Sequence, residues 1–79
     1  MKAYVYVTLK KTVLDPQGKT IHGALNKMGY KGVGDVRQGK YFEIDLKNSD
    51  KAKVKAELDD ICRKLLANTV IENYEIELA

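Results

Sequence analysis

Cysteine and histidine are nearly missing from this sequence, which holds one of each, Cys62 and His22. A single thiol cannot close an internal disulfide, and one Cys with one His cannot complete a tetrahedral zinc site. No apolar run approaches the ~20 residues needed to cross a bilayer. The N-terminal residues show no apolar signal-type segment, and with the lone thiol this leads us to expect a reducing, cytoplasmic setting. Neither sign of charge dominates. Fourteen Lys and Arg against eleven Asp and Glu give +3, too mild a balance to indicate nucleic acid by itself.

The chain reads as one domain, residues 1–79. A domain this short buries only about 60% of the surface its unfolded form exposes. With disulfides and metals excluded, association with other chains is the stabiliser that remains. Charged residues make up 32% of the chain and hydrophobic ones 44%, an ordinary globular balance. The bases crowd the first two thirds, while 72–79 carries Glu72, Glu75 and Glu77 and no base.

Over 2–9, Ala3, Val5, Val7 and Leu9 alternate with Tyr4, Tyr6 and Thr8, the period of a half-buried strand. Asp15-Pro16-Gln17-Gly18 then reads as a turn or as a helix entry with Asp15 as N-cap. Ile21, Ala24, Leu25 and Met28 share one helical face, and Gly29 is placed to end that helix in the left-handed conformation. Gly23 in mid-helix suggests a close backbone contact or an irregular turn. Residues 31–37 read as a second, poorer strand around Val33 and Val36. Gln38-Gly39 reads as a tight turn into a third strand over 40–46, with Phe42, Ile44 and Leu46 on one face. Asn48, Ser49 and Asp50 are candidate caps of a second helix whose stripe is Val54, Leu58, Ile61 and Leu65, ending near Asn68. Residues 70–78 form the last strand, with Tyr74, Ile76 and Leu78 inward.

The order β-α-β-β-α-β predicts an α+β, ferredoxin-like two-layer sandwich: a four-stranded antiparallel sheet with two helices on one face. The other face should display Tyr4, Tyr6, Thr8, Tyr41, Glu43, Asp45, Glu75 and Glu77. Aromatics on central strands invite comparison with RNA-binding sheets, but the carboxylates around them would repel phosphate. We therefore expect Tyr4, Tyr6 and Tyr41 to form an oligomer interface, since exposed aromatic patches mark protein contacts.

No catalytic constellation is visible. His22 has no Ser, Cys or carboxylate spaced to make a nucleophile–base set with it. Cys62 falls beside the buried stripe, where a small apolar residue is wanted. Asp59 and Asp60 are neighbours in sequence, and neighbouring helical residues face apart. Arg37-Gln38-Gly39-Lys40 sets two cations around a turn without the glycine spacing of a phosphate-binding loop, and the simplest use of Gly39 is to permit positive φ.

Five segments in order resemble the PurS family, small subunits of phosphoribosylformylglycinamidine synthase (formylglycinamide ribonucleotide amidotransferase). They are Val13-Leu14-Asp15-Pro16-Gln17-Gly18, Ala24-Leu25 leading to Gly29-Tyr30, Val36-Arg37-Gln38-Gly39-Lys40, Ile61-Cys62-Arg63-Lys64-Leu65-Leu66-Ala67-Asn68, and Val70-Ile71-Glu72-Asn73-Tyr74. The sequence departs from the family where it has Thr69 for a common proline and Arg63 for a frequent acid. The resemblance implies a subunit of a carbon–nitrogen ligase of de novo purine synthesis, without catalytic, cofactor-binding or metal-binding residues of its own. In such systems a glutaminase subunit releases ammonia, and a synthetase subunit uses ATP with Mg2+ to activate the substrate amide. The small subunit bridges them and assists ammonia transfer, and it self-associates to a dimer or tetramer. Asp15, Pro16, Gln17, Gly18, Arg37, Gly39 and Lys40 are the expected partner contacts, because they sit on loops that core packing does not explain. The rival reading is a small-molecule-sensing regulatory domain of the same fold; it would want a glycine-rich loop after the first strand, and only Gly18 is there.

Overall fold

Alternating β-branched and aromatic residues make Lys2–Leu9 the strand β1, which runs through the middle of the sheet. The computed structural model describes residues 1–47 and 49–79. After β1 come the helix α1 (Pro16–Lys27), strand β2 (Gly39–Asp45), helix α2 (Lys51–Ile61), a π-helical turn over Cys62–Leu66, and strand β3 (Glu72–Leu78). The sheet is antiparallel throughout, in the order β2-β1-β3.

Among the described residues three strands are present, where four were expected. Residues 31–37 lie outside the sheet, and local polar chemistry explains why. Gly32 and Gly34 give that segment no side chains to pack. The Asp35 carboxylate accepts the N–H of Val36, and the Gln38 N–H is taken by the Asp15 carboxylate. Without a strand there, Gln38-Gly39 is not a hairpin turn.

Val5 and Val7 of β1 pack with Cys62 and Ala67, while Ala3 packs with Val54 and Leu58. Phe42, Ile44, Ile76 and Leu78 complete these clusters from the flanking strands. Each fully buried Val or Leu contributes roughly 1.5–3 kcal/mol relative to exposure. The inner stripe of α2 slips after Leu58. The Ala67 N–H donates to the carbonyl of Cys62, five residues back, at 2.8 Å. Cys62, Leu66 and Ala67 therefore turn inward, and Leu65, expected on the stripe, is 79% exposed.

Asp50 caps α2, accepting from the N–H groups of Ala52 and Lys53; Asn48, another cap considered, lies outside the described residues. Asp15 caps α1 with Pro16 in the first turn. A Schellman motif ends α1: Tyr30 N–H donates to Leu25 O, Gly29 N–H to Asn26 O, and Gly29 has φ 98°.

Neither apolar cluster contains a side chain of α1. This corrects the expectation of two helices laid on one sheet face. Ile21 and Met28, the outer members of its stripe, are exposed. Gly23 has open space around it, with no close backbone contact. The result is an elongated molecule of 49 × 25 × 14 Å with a radius of gyration of 16.0 Å, against about 12 Å for a compact chain of this length. α1 is an arm, held at its base, with Ile21 and Met28 bare on its apolar side and Leu25 half-buried between them.

Candidate functional site

Period-two alternation places every second side chain of each strand on the open face of the sheet. Cross-strand register sets Tyr6 opposite Tyr41 and Tyr4 opposite Glu43, and on the other flank Tyr4 opposite Glu77 and Tyr6 opposite Glu75. The Tyr4 and Tyr41 rings stack at 6.1 Å between centroids, and Tyr6 meets Tyr41 at 5.3 Å. The Tyr6 hydroxyl donates to Glu77 and the Tyr41 hydroxyl to Glu43. Loss of water around its ring and the accepting Glu43 carboxylate push the Tyr41 hydroxyl up to about 12. For Tyr6 the bond to Glu77 is the main cause of a raised value. The expected trio thus forms one ladder, ringed by carboxylates.

A second site lies at the base of the arm. Asp15 is 4% exposed, the buried polar residue among those described. Its Oδ1 accepts the N–H of Gly18 at 3.0 Å and its Oδ2 the N–H of Gln38 at 2.7 Å. The Gln38 bond first, then the Gly18 bond, and after them the Arg37 charge hold its carboxyl below the usual range, against the effect of burial. Beside it is an open recess of about 170 Å³ lined by Val7, Gln17, Gly39, Lys40 and Glu72 among others, with Lys40 Nζ 3.5 Å from Glu72.

The loop residues singled out in the sequence therefore converge, but in two different roles. Asp15 and Gly18 are buried and serve the chain itself. Pro16, Gln17, Arg37, Gly39 and Lys40 are on the surface. Arg37 donates to the carbonyls of Lys10 and Val13, which ties the loop after β1 to the approach to β2. Gly39 does not have positive φ; a Cβ there would stand 2.5 Å from the Val7 carbonyl, so close strand approach demands glycine.

His22 Nε2 donates to the Val33 carbonyl at 2.9 Å, a tether between the arm and the returning chain. Burial raises the Cys62 thiol above its ordinary value, which makes it inert at neutral pH. Arg63, the departure from the family pattern, pairs with Asp59 and Asp60 on the outside of α2. The exposed side of α1 is the surface that sequence reasoning missed, since its periodicity is the same as that of a helix packed on its own sheet. Among the described residues no group of His, Cys, Asp and Glu is arranged to hold a metal ion, and no helix is long and apolar enough to cross a membrane.

An α+β chain with a tyrosine ladder on one face and a helix outside its own core clusters offers two surfaces for contact with other chains. The PurS family, described as phosphoribosylformylglycinamidine (FGAM) synthase, matches residues 2–79. The chain is 50% identical over 74 residues to the PurS subunit of Synechocystis, covering 94% of this chain and 74% of that one. Among solved structures, PurS of Bacillus subtilis superposes with a TM-score of 0.87 at 50% identity, covering 96% of this chain and 94% of that one. A chain in the structure of PurLQS from Thermotoga maritima gives 0.88 at 30% identity, covering 96% and 93%. The chain belongs to the PurS family.

Proposed function

We propose that this chain is the non-catalytic small subunit of the ATP- and glutamine-dependent phosphoribosylformylglycinamidine synthase of de novo purine biosynthesis, working in the cytoplasm. It bridges a glutaminase subunit and a synthetase subunit and assists the passage of ammonia between them. ATP and Mg2+ belong to the complex and are not bound by this chain. Family membership over nearly the whole length supports the assignment, as does the likeness to a chain of the PurLQS assembly. Ammonia set free in water at neutral pH is mostly protonated and no longer a nucleophile, so holding the two active sites in one closed assembly protects it.

The observation that carries self-association is the bare apolar side of α1 in an elongated chain. Ile21 is 41% exposed and Met28 69%, and no side chain of the arm enters the chain's own core clusters. A second copy gives that stripe something to cover it. The same association offers the sheet its missing strand: residues 33–38, which form neither helix nor strand and are joined to the sheet by no backbone–backbone hydrogen bond among the described residues, are the piece of chain able to line a free edge. On this reading the four-stranded ferredoxin-like sandwich is completed in the dimer or tetramer. The tyrosine ladder and the surface of Pro16, Gln17, Arg37, Gly39 and Lys40 remain for further copies and for the large subunits.

Co-purification with the glutaminase and synthetase subunits tests the assignment. A stable three-component complex is the expected result; a mixture that elutes as separate components contradicts it.

A further inference from the structure

The arm has no apolar seat, so its direction depends on the polar joint at its base. Two stretches far apart in sequence meet there: the first turn of α1 and the run into β2. The Asp15 carboxylate stands between them, accepting Gly18 N–H from one and Gln38 N–H from the other. The fit is close enough that a Cβ on Gly18 would stand 2.2 Å from the Val36 carbonyl. Gln38 Nε2 also donates to Gln17 Oε1 at 2.7 Å.

We propose that Asp15 is a positioning residue that fixes the direction in which α1 leaves the sheet, so that the arm meets a second copy already oriented. This rests on the reading of the arm as an association surface. A carboxylate suits the task because it only accepts, and both of its neighbours only donate. Asparagine at this position turns an NH2 group toward one of those N–H groups and loses that bond. Serine keeps the cap to Gly18 and is too short to reach Gln38. A pre-aimed arm has less freedom to lose on association, which raises affinity without a new contact.

Pulsed electron-paramagnetic-resonance distances test this on the full chain, spin-labelled at Lys2→Cys and Lys27→Cys in a Cys62→Ala background. Dilution with unlabelled protein removes distances between copies. Asp15→Asn and Asp15→Ser should each at least double the width of the distance distribution, with unchanged circular dichroism. Sedimentation should then show a dissociation constant raised at least tenfold. A width like that of the parent chain in either folded variant overturns the positioning role, and two variants keep the test alive if one does not fold. A broadened distribution with unchanged affinity overturns the claim that orientation matters for association. Broadening in the variants of a parent chain that itself never associates supports Asp15 as the joint and removes the association reading instead.

Discussion

The carbonyl of Cys62 accepts the N–H of Ala67 at 2.8 Å, where a continuing α-helix would have given it Leu66. That single slip decides which side chains at the end of α2 belong to the core. Leu66 packs against Val5 and Val7, and Leu65 faces outward.

Leu66→Ala should therefore cost about 1–2 kcal/mol, the lower end for a large-to-small change because the site is half-buried. Leu65→Ser should stay within about 0.5 kcal/mol. Urea denaturation of the isolated chain checks both. Equal losses would mean that the helix continues as an ordinary α-helix.

Two glycines of α1 should respond in opposite directions. Gly18→Ala drives a Cβ into the Val36 carbonyl and should cost roughly 1–3 kcal/mol. Gly23→Ala meets open space in mid-helix and should stabilise by up to about 1 kcal/mol. Thermal unfolding of the two variants beside the parent is sufficient.

Much of this architecture can be read in the sequence, and two of the failures share a cause. Period-two alternation in 2–9, 40–46 and 70–78 gives three strands, the last of them beginning at Glu72, and assigns Tyr4, Tyr6 and Tyr41 to one face, as the register bears out. Asp15, Asp50 and Gly29 mark helix ends by local chemistry, and they hold those positions. Periodicity, however, reports only that a side is apolar, not which chain covers it. The stripe of Ile21 and Met28 reads like that of Val54 and Leu58, although only the second pair is packed within this chain. For the same reason Val33 and Val36 suggested a strand that the chain does not form by itself. The inward turn of Leu66 in place of Leu65 left no trace in pattern, because a π-turn changes the period within five residues.

Acid should loosen the base of the arm. Asp15 is held below its ordinary value by the Gln38 and Gly18 N–H groups and by Arg37, while Lys40 and Glu72 line the same recess. A depressed folded-state pKa contributes stability above the unfolded value of about 3.9, and that contribution is lost as pH falls through the folded value. Asp60, paired chiefly with Lys64, behaves in the same way. The protection of the Gln38 amide, followed by NMR and taken relative to its intrinsic exchange rate, should hold near neutrality and fall only below about pH 4. Protection lost between pH 7 and 5 would contradict the account.

The contact surfaces should separate by partner. Tyr6→Asp places a charge beside Glu75 and Glu77 on the ladder and should lower the mass measured by light scattering. Arg37→Ala with Lys40→Ala should leave the core intact and weaken co-purification with the synthetase. Lys40 is the cleaner probe of the two, because Arg37 also holds the carbonyls of Lys10 and Val13. Undiminished co-purification of the double variant would remove both from the contact surface.

The most direct test of the central claim is formation of formylglycinamidine ribonucleotide by the synthetase and glutaminase subunits, with and without this chain. With glutamine as donor the product should form only when the chain is present, whereas ammonium salt should support synthesis without it. Equal rates from glutamine in its presence and absence would contradict the account, and the coupling role would fall with them.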